Sequence, residues 1–180
     1  MHRESVTTRT ARAVMLPSLL VLVLVGAGAR PASPQTLGTV SVVVLGYRAP
    51  ASTVVPDEEV ELLAMMNEIR TARRLPPLLM SAALRTVARD HSRDMALSGY
   101  VGHDSPQGQS FLTRLSNVVL RGTVVGENVT AALTVEQAHN AFIHSPGHLK
   151  NILDPEFRSV GVGIATAGAV GFMVTEDFSQ

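Results

Sequence analysis

The sequence predicts an α+β fold on the basis of three observations. Amphipathic helix patterns occupy most of residues 57–150. Two β-rich runs, residues 159–166 and 170–178, close the chain and are joined by a short Ala-Gly-Ala turn, which predicts a hairpin. The helical and β-rich segments do not alternate as they do in a parallel sheet. We therefore expect helices and strands to form separate layers around one core.

The N-terminal segment has the pattern of a secretory signal peptide. Three arginines precede an apolar run at residues 13–25, and an Ala-x-Ala motif ends at Ala29. We predict cleavage after residue 29, so that residues 1–29 are the signal peptide, with a retained N-terminal anchor as the alternative. The expected location is secreted or extracytoplasmic, and any membrane contact is through this segment if it stays uncleaved.

Residues 30–56 are predicted to form a linker before the domain, which we place at residues 57–180. The linker is rich in Pro, Ala, Ser and Thr, and the sequence leaves open whether it is ordered. Its β-branched patch, residues 40–45, is predicted to lend one strand to the domain.

The net charge and the cysteine content of the chain limit the classes of function that it can have. Cleavage removes three arginines and one glutamate from the 15 basic and 15 acidic residues, which leaves a slight acidic excess. Nucleic-acid binders need a basic surface, so a nucleic-acid partner is excluded. The chain has no cysteine, so its core must supply the stability that disulfides give to many exported domains.

Two helices are predicted in the first half of the domain. Pro56, followed by three acidic residues, starts the first helix because proline and negative charge suit a first turn. Val60 is expected to widen its apolar stripe. Ser81 caps the second helix and Gly99 ends it. His91 lies on the apolar stripe of this second helix, where we expect a hydrogen-bonded core histidine.

The second half of the domain begins with a short helix, predicted around residues 111–120, and a β-like run at residues 124–129. Thr134 then caps a longer helix, which is expected to end near His144 because Pro146 disfavours helical backbone in the residue before it. His148 consequently opens a new turn. We expect His148 to be functional and His144 to lie on the surface.

Three side chains on loops or element ends are candidate site residues: His103, Glu127 and His148. Two imidazoles and a carboxylate match the ligand set of open zinc sites, although the helical His-Glu-x-x-His signature is absent. A serine hydrolase built from Ser145 or Ser105 would be a second possibility, but the chain has no Gly-x-Ser-x-Gly elbow.

Six ordered segments of the chain resemble the CAP superfamily, also called the SCP domain, in its cysteine-free bacterial branch. The likeness spans roughly residues 58 to 179. It implies a three-layer α-β-α sandwich with a central antiparallel sheet and an extracytoplasmic location. The matching segments are residues 66–70 (Met-Asn-Glu-Ile-Arg), 103–106 (His-Asp-Ser-Pro), 126–128 (Gly-Glu-Asn), 145–153 (Ser-Pro-Gly-His-Leu-Lys-Asn-Ile-Leu), 161–163 (Gly-Val-Gly) and 175–178 (Thr-Glu-Asp-Phe).

The resemblance also implies a cavity lined by two histidines and two glutamates. His103, Glu127 and His148 match three of these positions, with Asn128 beside them, and the second glutamate is replaced by Ser145. Some family members hold zinc or magnesium in this cavity. A divalent cation is therefore an expectation here, weakened by the loss of one carboxylate because ligand number and charge set affinity.

Three functions follow as hypotheses. The first, which we favour, is a binding module for a small hydrophobic ligand, a protein partner or a cation. The second is a metal-dependent hydrolase of peptide or cell-envelope substrates, in which His103 and His148 hold the metal and Glu127 is a ligand or general base. The third is a purely structural cavity. The sequence leaves open whether the protein is an enzyme, and the missing carboxylate weighs against it.

Overall fold

The computed structural model describes residues 42–43 and 53–180, so the predicted signal peptide and most of the predicted linker lie outside the described residues. Helices cover both faces of a four-stranded sheet with the order β2-β5-β6-β4. The elements in chain order are β1 (Val42–Val43), α1 (Pro56–Ala72), β2 (Leu79–Met80), α2 (Ala82–Ser98), β3 (Tyr100–Val101), α3 (Phe111–Leu115), β4 (Val125–Ala132), α4 (Val135–His144), α5 (Pro146–Leu153), β5 (Ser159–Thr166), a 3-10 turn (Gly168–Val170) and β6 (Phe172–Ser179).

The three long strands of the sheet are antiparallel, as predicted. β5 and β6 form the expected hairpin, and β4 pairs with the other side of β6 as an edge strand. The short strand β2 departs from the prediction, since it pairs parallel to β5. No hairpin turn joins these two strands, so their relative direction is free of that constraint. The linker lends β1, which pairs antiparallel with β3 in a separate two-stranded sheet.

Most predicted helix ends are confirmed. Ser81 accepts a hydrogen bond from the amide of Leu84, and Gly99 ends α2 in the left-handed conformation with φ 69°. α4 ends at His144 as predicted, and Pro146 starts α5. α3 is shorter than expected, because Ser-Asn-Val-Val at residues 116–119 has low helix propensity and forms a turn instead.

The two faces of the sheet are covered differently. α1, α4 and α5 pack on one face through a large apolar cluster that includes Leu62, Phe142 and Phe178. α2 packs on the opposite face, called the α2 face below, at Gly161 and Gly163 of β5. A Cβ atom at either glycine would lie 2.1 to 2.2 Å from the helix backbone, so only glycine permits this approach.

A buried carboxylate ties α1 to α2. Glu59 is fully buried and accepts hydrogen bonds from Arg85, Arg89 and the backbone amide of Ile164. The sequence pattern indicated only a favourable charge in the first turn of α1. The predicted apolar stripe is also corrected, because Val60 is 56% exposed and Glu59 is buried beside it. Two guanidinium groups make burial of this carboxylate favourable.

Arg70 is a second buried charged residue that the pattern did not predict. It is fully buried at the end of α1, and its guanidinium donates hydrogen bonds to the backbone carbonyls of Pro76, Ile152, Asp154 and Phe157. These bonds fasten the C-terminal end of α5, where carbonyl groups lack helical partners and favour a cation.

None of the helices within residues 53–180 is both long and apolar enough to cross a membrane.

Candidate functional site

The predicted site residues meet at the edge of the sheet formed by β4. Alternation along this strand places Glu127 on the α2 face and Asn128 on the opposite face. The loop that carries His103 and the short helix α3 approach from the α2 face, and α5 with His148 approaches from the other face. An edge strand allows both sets of side chains to lie near one another.

Glu127 is the centre of the cluster on the α2 face. Its Oε2 lies 2.6 Å from Nη2 of Arg114, and its Oε1 lies 2.8 Å from Nδ1 of His103. The Glu127 and Arg114 side chains are 1% and 5% exposed, whereas His103 is 40% exposed. The bond to Glu127 raises the pKa of His103, against an opposing effect of burial. The cluster is thus a buried ion pair with a titratable imidazole at its surface.

Asp177 adds a second acid to this cluster. It is the cross-strand partner of Glu127 and is fully buried. Neither of its carboxyl oxygens has a hydrogen-bond partner among the described residues. Burial, followed by the neighbouring Glu127, raises the pKa of Asp177 well above its ordinary value. Burial and the neighbouring carboxylate therefore favour the uncharged form of Asp177.

A second polar cluster lies on the opposite face of β4. The amide nitrogen of Asn128 donates to Oε2 of Glu176 (2.8 Å) and to the backbone carbonyl of His148 (3.2 Å). The amide of Asn151 donates to Oδ1 of Asn128 at 2.9 Å. Glu176 is fully buried, and burial raises its pKa to about 8, with the Asn128 hydrogen bond acting in the other direction.

His148 lies near His103 but is not bonded to the Glu127 cluster. Its ring packs edge-on against Phe142, with ring centroids 5.3 Å apart, and its buried Nδ1 has no hydrogen-bond partner among the described residues. Burial, and then the charge on His103, lowers the pKa of His148. Ser145 is the residue before α5, and its side chain makes no capping hydrogen bond to that helix. The structure therefore joins His103 directly to Glu127 and places His148 beside them.

The arrangement of these side chains does not fit a divalent cation site. No group of three or more His, Asp or Glu side chains within residues 42–43 and 53–180 is placed to hold a metal ion. Both oxygens of Glu127 are already engaged, and a cation would have to displace the guanidinium of Arg114 at 2.6 Å. Zinc or magnesium binding stays a prediction of the family resemblance.

Comparison with known proteins identifies the family. Residues 63–178 match the profile of CAP, the Cysteine-rich secretory protein family, over more than half of the chain. The chain belongs to the CAP family. The CAP domain is 32% identical over 113 residues to the Uncharacterized protein YkwD of Bacillus subtilis, a match that covers 62% of this chain and 44% of YkwD. The Uncharacterized membrane protein YlbC of the same organism is 29% identical over 59% of this chain and 31% of YlbC.

Solved structures confirm the predicted α-β-α sandwich of the CAP domain. An extracellular protein containing an SCP domain from Bacillus anthracis is 29% identical, with a TM-score of 0.62, over 69% of this chain and 41% of that protein. An outer surface protein from Borrelia burgdorferi shares the fold at 14% identity, with a TM-score of 0.64, over 72% of this chain and 98% of that one. The chain spans less than half the length of YkwD, YlbC and the Bacillus anthracis protein.

The CAP domain also has an apolar groove beside α3, which we call the α3 groove. Its volume is about 380 Å³, and it extends from α3 to the start of β4. Leu112 and Leu120 at its rim are 65% and 84% exposed. The lining residues are Leu112, Leu115, Ser116, Val119, Leu120, Arg121, Gly122, Thr123 and Val125. Sequence reasoning missed this groove, although the apolar residues of 118–120, following a short helix, were a signal that could have indicated it.

Replacing Glu127 with glutamine is expected to lower the pKa of His103 relative to that of the wild type. The substitution removes the carboxylate that raises this pKa and leaves the effect of burial, which acts in the opposite direction. An NMR titration of the imidazole resonances measures the change. Glu61→Gln on the exposed side of α1 is the matched control. An unchanged His103 titration in Glu127→Gln would contradict the hydrogen bond that defines the cluster.

Proposed function

We propose that this protein is an extracytoplasmic binding module that holds an aliphatic ligand with an anionic headgroup in the α3 groove. The exposed apolar lining of that groove is the observation that carries the proposal. Soluble domains seldom leave leucines as exposed as Leu112 and Leu120 beside one concavity. A volume of about 380 Å³ lies within the range of small-molecule sites, which are mostly apolar with few polar groups.

The charged residue in the lining of the α3 groove indicates which headgroup the ligand carries. Among the described residues that line the groove, one is charged, and it is the basic residue Arg121. An aliphatic chain packed against the leucines, with a carboxylate near Arg121, would satisfy both features. A neutral or cationic headgroup would lack this partner.

The buried cluster has a supporting role in this proposal. Arg114 and Leu115 of α3 are buried, whereas Leu112 of the same helix is exposed at the rim of the groove. The Arg114–Glu127 ion pair therefore fastens α3 to β4 and holds the groove open. In this proposal the residues of the predicted cavity have a structural role, as in the third hypothesis, and the ligand binds in the neighbouring α3 groove.

Hydrolysis is a weaker explanation of the same geometry. A general base must be free to take a proton from water, and the Glu127 carboxylate is bonded to Arg114 and His103. No nucleophilic side chain is hydrogen-bonded to His103 or His148 in the described part of the chain. We therefore do not propose a catalytic function.

The extracytoplasmic location is supported by two observations. The N-terminal sequence has the signal-peptide pattern, and the similar CAP proteins of known structure include an extracellular and an outer surface protein. Exposed leucines on an exported protein are available to free fatty acids and to the acyl chains of envelope lipids.

Calorimetric titration with laurate tests the proposed function. We expect saturable binding that Leu120→Ser and Leu112→Ser each weaken about tenfold, because each removes apolar area buried by the chain. Arg121→Gln should weaken laurate but not dodecyltrimethylammonium, which has the same chain length and the opposite charge. Leu79→Ser is the matched control, since Leu79 is 70% exposed on β2, outside the groove.

Equal laurate affinity in the groove variants and in Leu79→Ser would refute the proposed site. Absence of laurate binding would refute the function. A dimer that the groove substitutions dissociate and that laurate leaves intact would assign the groove to a second copy of the chain instead.

A further inference from the structure

A second cavity lies against α2, separate from the α3 groove. Its volume is about 150 Å³, and the residues that line it are Val87, Asp90, His91, Asp94, Gln109 and Arg114. An engineered cavity of similar volume in another protein holds benzene, so a small organic molecule fits a space of this size. Five of the six lining residues are polar or charged, in contrast to those of the α3 groove.

His91 supplies a buried acceptor in this cavity. The residue is 1% exposed, and its Nε2 lies 2.8 Å from the backbone carbonyl of Gly102. A carbonyl oxygen only accepts, so Nε2 carries the proton, and burial lowers the pKa of His91, which favours the neutral ring. Its Nδ1 is then a bare lone pair, and it has no hydrogen-bond partner among the described residues. A buried acceptor of this kind calls for a donor.

Two carboxylates share the cavity with His91. Asp94 accepts from the hydroxyl of Tyr100 at 2.5 Å and from that of Ser98 at 3.0 Å, and Asp90 is paired with the exposed Arg93. Arg114, the basic side chain among the described lining residues, is neutralised by its ion pair with Glu127. The cavity therefore presents several acceptors and a net negative charge.

We propose that this cavity binds a small molecule carrying a guanidinium or primary ammonium group. Such a cation brings several N–H donors on one compact centre, which matches Nδ1 of His91 together with the carboxylates of Asp90 and Asp94. The Nε of Arg114 also lacks a partner in the described part of the chain and offers one donor to an acceptor atom elsewhere on the ligand. This site does not depend on the α3 groove.

Methylguanidinium and methylurea form the test pair, since they have nearly the same shape and differ in charge and donor number. We expect saturable calorimetric binding of methylguanidinium and much weaker binding of methylurea, which lacks the charge that the carboxylates attract. Asp94→Asn and Asp90→Asn should each weaken methylguanidinium about tenfold, the effect of losing a charge-assisted hydrogen bond. Asp57→Asn in the exposed first turn of α1, outside the cavity, should leave the affinity unchanged.

The imidazole nitrogens of His91 give a second measurement that needs no substitution. In a long-range proton–nitrogen NMR spectrum, the Nδ1 resonance of His91 should move toward the hydrogen-bonded position as methylguanidinium is added. Equal responses to methylguanidinium and methylurea would overturn the proposal of a cationic ligand. An Nδ1 resonance that stays in place at saturating methylguanidinium would also overturn it, and would assign the cavity to water alone. Laurate binding is unaffected by either outcome.

Discussion

Replacing Glu176 with glutamine is expected to remove the loss of stability that this carboxyl group causes between pH 4.5 and about 8. Burial raises the pKa of Glu176 from 4.5 to about 8 in the folded protein. Between these values the folded state binds a proton that the unfolded state has released, so the free energy of unfolding falls as pH rises. The loss is absent below pH 4.5, complete above about pH 8, and about 5 kcal/mol.

Glutamine retains the oxygen that accepts from Asn128 and has no charge to desolvate. Urea unfolding at pH 5, 7 and 9 measures the difference, and the variant should gain on the wild type progressively with pH. Glu61→Gln, at an exposed position, should keep the wild-type profile. A wild-type stability that does not fall over this range would contradict the raised pKa. Asp177 and His103 also have raised pKa values, so the variant keeps the slope that these two groups contribute.

Replacing Arg114 with leucine is expected to destabilise the protein by about 3–5 kcal/mol. The substitution leaves the carboxylate of Glu127 buried beside Asp177 without its guanidinium partner. Among the described residues, His103 then remains to balance that charge, and its side chain is 40% exposed. The measurement is the free energy of unfolding in urea at pH 7.

Two matched variants separate the ion pair from other effects of the leucine. Adding Glu127→Gln to Arg114→Leu should recover much of the loss, because a neutral pair has no uncompensated charge. Arg93→Leu breaks the exposed pair with Asp90 and should cost less than about 1 kcal/mol. A double variant as unstable as Arg114→Leu alone would mean that the guanidinium acts through packing and not through Glu127.

Local signals in the sequence predicted the helix boundaries and the hairpin well. The Ser81 cap, the Gly99 end and the helix break before Pro146 each depend on backbone chemistry within a few residues, so they are visible without the fold. The contact between His103 and Glu127 came instead from the family resemblance, because 24 residues separate them and no periodic pattern joins them.

The buried charges were not predictable from local patterns. Arg114 and Asp177 meet Glu127 only through the register of β4 with β6 and through the docking of α3. Glu59 and Arg70 looked like ordinary helix-surface residues, since their partners lie on α2, β5 and the end of α5. A charged residue on a helix is usually solvated, and only tertiary contacts show when it is paired and buried.

The most direct test of the proposed function is the position of bound laurate on the protein. Intermolecular NOEs from the laurate methylenes in a methyl-labelled sample locate the chain without relying on substitutions. We predict NOEs to the methyl groups of Leu112, Leu120 and Val119, which line the α3 groove. NOEs to the rings of His103 and His148, in place of these methyl groups, would put the ligand beside the two histidines and contradict the α3 groove as the binding site.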